Sequence, residues 1–192
     1  MYIDWDVTMR FDPNSLVPST QHGIPVPSYG NYGGVNYSAG QEGGTTPEPG
    51  SADYLANPPK DNLDQLFYTH DLAYQHFEDQ TATVLQTFDA DANLAKGMYA
   101  LTQSEPDLFA SDPEALLFEA VATLSILGKI QTTPGESEYL QSTLPQSQQL
   151  LLAAAAIQNF ETALAETPGN ESRSLHGALH VFEAHFGDIL LA

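Results

Sequence analysis

Residues 59–74, PKDNLDQLFYTHDLAY, decide the fold that this sequence predicts. Asp61 can cap a helix N-terminus, Asp64 follows three residues later, and Pro59 prevents an earlier start. Apolar and aromatic side chains and one histidine then recur at helical spacing: Leu63, Leu66, Phe67, His70, Tyr74 and Phe77. This pattern predicts a helix over about residues 61–80 with His70 on its apolar face.

A second helix is expected over about residues 82–103. Its inner face carries Val84, Phe88, Asp91, Ala95 and Met98. Because the connection between the two helices is short, they should pack antiparallel and bring His70 close to Asp91. Asp89 lies about 200° from Asp91 around the helix axis, so it should face water.

A carboxylate on an apolar helix face is costly unless it is paired. A histidine that pairs with Asp91 through one ring nitrogen keeps the other nitrogen free as a base. Periodicity alone favours a purely structural His–Asp pair in the core. Asp71 favours a functional site, since it lies about 100° round the helix from His70 and could face a metal held by the preceding loop.

The rest of the chain divides into a loop-rich start and further helices. Gly, Pro, Tyr, Asn and Ser dominate residues 1–60, where one short strand is expected near residues 2–11. Beyond residue 104, helices are expected over about residues 113–130, 145–165 and 174–191. The fold class is therefore all-α, with a region at 1–104 built on two antiparallel helices and a helical extension at 105–192 packed on it.

Composition excludes several classes of function. The 192 residues include 25 Asp and Glu but 5 Lys and Arg, a formal net charge of -20, so no basic surface for nucleic acid is expected. There is no cysteine for disulfides or thiolate metal sites. No signal peptide is visible at the start, and the longest apolar run, residues 150–156, is too short to span a membrane. We expect a soluble protein.

The pattern Pro-x-Asp-x-x-Asp, then five residues, then His-Asp-x-x-Tyr at residues 59–74 resembles the active-site helix of secreted phospholipases A2. Leu66, Phe67 and Ala73 stand where animal members carry cysteines, which resembles cysteine-free bacterial or parvoviral members. The segment Asp-Ala-Asn-Leu-Ala at 91–95 resembles the family's second motif, which carries its catalytic aspartate. The resemblance covers roughly residues 28–100 and implies a phospholipase A2-like catalytic core of two antiparallel helices.

Residues 28–40, SYGNYGGVNYSAG, resemble the Ca²⁺ loop of the same family. The loop pattern can start at Tyr29 or at Tyr32, and Tyr32 keeps a glycine at the second ligand position. In that register the resemblance implies that the carbonyl oxygens of Tyr32, Gly34 and Asn36 bind Ca²⁺ together with the Asp71 carboxylate. Asn36 replaces the usual glycine, and asparagine tolerates left-handed backbone.

The resemblance implies a hydrolase that cleaves the sn-2 ester of phospholipids with Ca²⁺. His70 would be the general base, Asp91 would fix its tautomer, and Tyr74 would hydrogen-bond the Asp91 carboxylate. The substrate would be a phospholipid at a membrane or micelle surface. Because a basic interfacial surface is missing, we expect zwitterionic or dispersed substrates, or a partner that delivers the enzyme. Secretion or extracellular delivery would also fit the family.

Two alternatives remain open. One is a catalytically inactive binding or toxin module of the same fold. The other, less favoured, is a metal-dependent phosphohydrolase that uses a His–Asp pair. That enzyme needs further His and Asp ligands on helices, and the upstream candidate, His22, lies in a Pro/Gly loop. The histidines at 176, 180 and 185 are better explained by amphipathic packing than by metal binding.

Overall fold

The computed structural model describes residues 27–166, together with four short strands before them and the backbone class and exposure of residues 180 and 184. The expected helix over residues 174–191 otherwise lies outside the described residues, as do His176 and His185. Residues 180 and 184 are themselves helical and exposed.

The described part of the chain is mostly helical, as expected. Its helices are α1 Ala52–Ala56, α2 Asn62–Glu78, α3 Val84–Ser104, α4 Pro106–Ser111, α5 Pro113–Thr132, α6 Glu136–Tyr139 and α7 Gln146–Glu166, with a 3-10 turn at Leu140–Ser142. The four long helices agree with the sequence prediction within a few residues. The sequence did not predict the short helices α1, α4 and α6, because four to six residues carry too little periodicity to stand out.

The N-terminal region contains more strand than the sequence indicated. The strands are β1 Ile3–Asp4, β2 Arg10–Asp12, β3 Val17–Ser19, β4 Ile24–Pro25, β5 Ser28–Tyr29, β6 Tyr37–Ser38 and β7 Gln41–Glu42. The single strand expected near residues 2–11 is therefore wrong in part, because β1 and β2 belong to different sheets. β1 pairs antiparallel with β5, β2 lies between β3 and β4, and β6 and β7 form a hairpin.

Helices α2 and α3 form the antiparallel hairpin on which the site is built. Asp61 caps α2 by accepting a hydrogen bond from the backbone N–H of Asp64 at 2.9 Å, and Thr83 with Gln86 forms a capping box at the start of α3. The ends of the predicted apolar stripes are wrong: Phe77 is 42% and Val84 45% exposed. Both residues flank the connection between the helices, where the hairpin extends past the core.

The hydrophobic core contains residues from both sides of the boundary predicted at residue 104. Phe118 of α5 stacks on Tyr29 at 5.5 Å between ring centroids and meets Phe67 of α2 edge-on at 5.3 Å. A second cluster joins α3, α5 and α7. The helices after residue 104 therefore share buried contacts with both the loop and the α2–α3 hairpin.

Helix α5 is long and apolar enough to cross a bilayer by length and composition alone. However, 56% of the residues in that window are buried inside the fold, against α3 and α7. A core helix passes the same test, and the described structure is compatible with a soluble protein.

Candidate active site

His70 and Asp91 meet between α2 and α3. The Nε2 atom of His70 lies 2.7 Å from Oδ1 of Asp91, and the Tyr74 hydroxyl donates to Oδ2 of Asp91 at 2.7 Å. Asp91 is fully buried, whereas the His70 side chain remains 16% exposed. Since an ionised Asp91 can only accept, the His70 Nε2 atom carries the shared proton and the ring orientation is fixed.

Asp89 does not face His70, as its position on the helix predicted. The Tyr139 hydroxyl donates to Oδ2 of Asp89 at 3.2 Å, and Asp89 is partly exposed. Together with Gln86 and Asn93 it lines a groove between α2 and α3 whose lining residues do not include His70. Of the two aspartates, only Asp91 contacts the histidine.

The second nitrogen of His70 faces another carboxylate. Nδ1 of His70 lies 3.4 Å from Oδ1 of Asp71, whose side chain is 20% exposed. Burial opposes the charged ring, but hydrogen bonds to Asp71 and Asp91 outweigh burial and raise the pKa of His70 to about 9. A positive charge bound beside Asp71 would therefore lower the pKa of His70.

The pKa of Asp91 moves in the opposite direction. Burial disfavours its charged form, but the hydrogen bond from His70 and the attraction of Lys129 prevail and lower the pKa of Asp91 to about 2. Asp91 therefore stays ionised and available as a counter-charge for an imidazolium.

The glycine-rich loop is held against α2 by Asp64. This fully buried carboxylate accepts backbone hydrogen bonds from Asn31 at 2.8 Å, from Tyr32 at 2.8 Å and from Lys60 at 2.9 Å. Burial raises the pKa of Asp64, and these hydrogen bonds oppose that shift. Gly30, at φ +59, passes so close that a Cβ atom there would lie 2.3 Å from the Asp64 carboxylate.

The end of the loop reaches Asp71. Ser38 donates from Oγ to Oδ2 of Asp71 at 2.6 Å and also contacts Thr46 Oγ1 at 3.0 Å. Residues 41–58, which follow the loop, pack back on α2: the Tyr68 hydroxyl donates to the carbonyl of Pro47 at 2.9 Å. The structure thus brings the loop region and Asp71 together, although they are more than thirty residues apart.

The predicted Ca²⁺ ligands lie in this loop and on α2. The side chain of Tyr32 is buried and its hydroxyl donates to the carbonyl of Asn57, so only the backbone carbonyl oxygen of Tyr32 could serve as a ligand to a cation. Gly34 has φ +153 and Asn36 has φ +54, the left-handed conformation that asparagine tolerates. The carbonyl of Asn36 accepts from the N–H of Gly43 at 2.6 Å, and its second lone pair remains for another partner.

The donor set suits a hard cation. Asp71 is a partly buried carboxylate whose pKa is raised by desolvation, so a positive charge beside it is stabilising. The Ser38 hydroxyl contacts Asp71, and Ser38 belongs to the loop whose backbone carbonyls are the other predicted ligands. Carboxylate and carbonyl oxygens are ligands typical of Ca²⁺ rather than of zinc. In the part of the chain that the structure describes, no three His, Asp or Glu side chains converge to hold a metal.

Two site residues were not anticipated from the sequence. The ammonium of Lys129, in the last turn of α5, contacts Oδ2 of Asp91 and the hydroxyl of Tyr74. Glu136, the first residue of α6, is fully buried with Oε2 3.7 Å from the Lys129 ammonium. The sequence offered only an indirect signal: Lys129 is one of 5 basic residues in a chain with 25 acidic ones.

Comparison of the chain with family models, with curated proteins and with solved structures gave no match. The case for a function therefore rests on the geometry of the site and on the motifs at residues 28–40, 59–74 and 91–95.

Proposed function

We propose that this chain is a phospholipase A2-like carboxylic ester hydrolase that cleaves the sn-2 ester of phospholipids and requires Ca²⁺. The observation that carries the proposal is the placement of His70 between two carboxylates with different surroundings. Asp91 is buried and hydrogen-bonded to Nε2 of His70, whereas Asp71 is partly exposed and lies near Nδ1 of the same ring. A purely structural pair would not need the second carboxylate.

His70 serves as the general base. Because Asp91 accepts the proton on Nε2, the Nδ1 atom is the one that takes a proton from an attacking water. The imidazolium formed in that step is stabilised by Asp91, which is kept ionised and fixed by the Tyr74 hydroxyl. His70 remains 16% exposed, so water can reach the ring.

Asp71 and the carbonyl oxygens of Tyr32, Gly34 and Asn36 are the residues that would hold Ca²⁺. When bound, Ca²⁺ supplies Lewis-acid polarisation of the ester carbonyl and stabilisation of the oxyanion. Ser38 orients Asp71 through its hydroxyl, as partners of metal ligands usually do. Asp64 preorganises the loop by fixing the backbone N–H of Tyr32.

The substrate surface is expected to be zwitterionic or uncharged. The net charge of -20 repels anionic headgroups. Large apolar side chains are exposed on both sides of the α2–α3 connection, namely Phe77 at 42%, Val84 at 45% and Leu85 at 43%. Such side chains can contact lipid without a basic patch.

The test is fatty-acid release from phosphatidylcholine vesicles at millimolar Ca²⁺, with a chelator in a parallel assay. His70→Gln should remove hydrolysis by several orders of magnitude while circular dichroism stays unchanged. Asp71→Asn should weaken Ca²⁺ binding and hydrolysis together. Asp79→Asn makes the same chemical change at the exposed end of α2 and should do neither.

A catalytically inactive lipid-binding module of the same fold is the second candidate. The hydrogen bond from the N–H of Gly43 to the Asn36 carbonyl favours it, because this bond already occupies one of the two lone pairs of an expected Ca²⁺ ligand. If the wild-type protein binds vesicles but neither binds Ca²⁺ at millimolar concentration nor releases fatty acid, this module is the better description.

A further inference from the structure

Lys129 and Glu136 lie outside the part of the chain that carries the phospholipase motifs, yet both reach the His70–Asp91 pair. The Lys129 ammonium contacts Oδ2 of Asp91 and the Tyr74 hydroxyl, and it lies 4.9 Å from the centroid of the Tyr74 ring. On its other side it faces Glu136, at 3.7 Å from Oε2. The site therefore contains side chains from α5 and α6 in addition to those from α2 and α3.

Lys129 adds a second, charged donor to the oxygen of Asp91 that already accepts from Tyr74. Oδ1 accepts from His70, and Oδ2 accepts from Tyr74 and Lys129. The ammonium contacts both the Tyr74 hydroxyl and Oδ2, so it fixes the end of the carboxylate that is opposite His70 and keeps Oδ1 aimed at the histidine. The ammonium also compensates a negative charge that is completely buried.

We propose that Lys129 is a positioning residue for the His70–Asp91 pair. This role for Lys129 rests on the proposed function, in which Asp91 orients the base. It gives the helices after residue 104 a part in the active site, beyond packing against the hairpin.

The protonation of the two carboxyl groups fits this arrangement. Burial and then the nearby Asp91 raise the pKa of Glu136 to about 8, whereas the pKa of Asp91 is lowered. Of these two carboxyl groups, Asp91 therefore carries the negative charge and Glu136 keeps its proton over a wider pH range, as closely coupled carboxyl groups do. Near neutral pH the Lys129 charge is matched mainly by Asp91, the residue that His70 uses.

The experiment compares Lys129→Met and Lys129→Gln with Lys129→Arg, and uses Lys96→Met as a matched control. Lys96 lies on α3, is partly exposed and carries the same charge. The first readout is the nuclear magnetic resonance signal of the proton on His70 Nε2, assigned with His70→Gln. The second is kcat and KM for dispersed phosphatidylcholine at millimolar Ca²⁺.

We expect Lys129→Met and Lys129→Gln to lose or strongly shift the Nε2 proton signal. In the same variants kcat should fall about 10- to 100-fold with KM little changed, since a partner of the catalytic group is removed but the substrate contacts are not. Lys129→Arg should recover most of both properties, because it restores charge and donors. Lys96→Met should match the wild type in both.

The proposal is overturned if a folded Lys129→Met or Lys129→Gln protein keeps the wild-type signal and kcat. It is also overturned if Lys129→Arg is as impaired as Lys129→Met, since a positioning role should tolerate a second cationic donor. Two neutral variants are used so that the result does not depend on one of them folding. If the wild type releases no fatty acid, the proposed function fails, and the Nε2 signal still decides whether Lys129 positions the pair.

Discussion

Asp64→Asn tests how the glycine-rich loop is fixed to α2. The Asp64 carboxylate accepts the N–H groups of Asn31 and Lys60 at Oδ2 and that of Tyr32 at Oδ1. Asparagine has nearly the same shape but only one acceptor oxygen. In its best orientation this oxygen keeps two of the three N–H groups, and the side-chain amide then faces the third donor.

The cost follows from these contacts. One hydrogen bond to a charged group, worth about 1.5–3 kcal/mol, is lost, and a buried N–H is left unpaired at a further cost of about 1–3 kcal/mol. Because the loop can relax partly, we expect a loss of about 3 kcal/mol in the free energy of unfolding. For a chain of this length, that loss lowers Tm by about 6–12 °C.

Urea unfolding followed by circular dichroism measures the loss directly, and calorimetry with Ca²⁺ measures its effect on the loop. Asp79→Asn is the control, because it makes the same change at the exposed C-terminal end of α2 and should stay within about 0.5 kcal/mol of the wild type. In the folded Asp64→Asn protein, affinity for Ca²⁺ should drop at least about tenfold, since Tyr32 is no longer fixed. An unfolding free energy within about 0.5 kcal/mol of the wild-type value would refute the reasoning.

Asp91→Asn should reduce turnover of phosphatidylcholine at least about 100-fold by removing the counter-charge of the imidazolium, whereas Asp89→Asn should change it less than about twofold; a larger loss from Asp89→Asn would contradict the observed orientation of α3. Burial raises the pKa of Glu119 to about 7 from an ordinary 4.5, so the folded protein holds a proton that the unfolded chain has lost between those values. As pH rises from 4.5 to 7, the wild type should therefore lose about 3 kcal/mol of stability relative to Glu119→Gln, as measured by urea unfolding at several pH values. Glu161→Gln, an exposed change on α7, should show no such difference, and a parallel pH dependence of Glu119→Gln and the wild type would exclude the buried-proton explanation.

The contact between His70 and Asp91 could be predicted because it depends on two local patterns and one short connection. Helical spacing places each residue on an apolar face, and five residues between α2 and α3 leave an antiparallel hairpin as the simple arrangement. The same spacing was wrong at Phe77 and Val84, where the hairpin extends beyond its neighbours. Periodicity indicates which side of a helix is apolar, but it does not indicate where the core ends.

The contacts of Lys129 could not be predicted in this way. Lys129 is 38 residues from Asp91 in sequence, and its placement depends on how α5 crosses α3. Glu136 follows Gly135, whose φ of +82 marks a sharp break in the chain between α5 and α6. Acidic residues at a helix start are ordinarily exposed caps, so nothing in the local sequence distinguishes Glu136.

The charges around His70 link the two halves of the proposed site. Lys129 balances Asp91, and Glu136 has a pKa raised to about 8. Among the residues that the structure describes, Asp71 is then the carboxylate that faces the ring with no Lys or Arg paired to it. As long as Asp71 is negative, it favours the protonated ring, which cannot act as a base. A positive charge bound at Asp71 removes that preference and leaves Asp91 as the counter-charge of the ring. The basicity that His70 needs and the affinity of Asp71 for a cation are therefore two consequences of one arrangement.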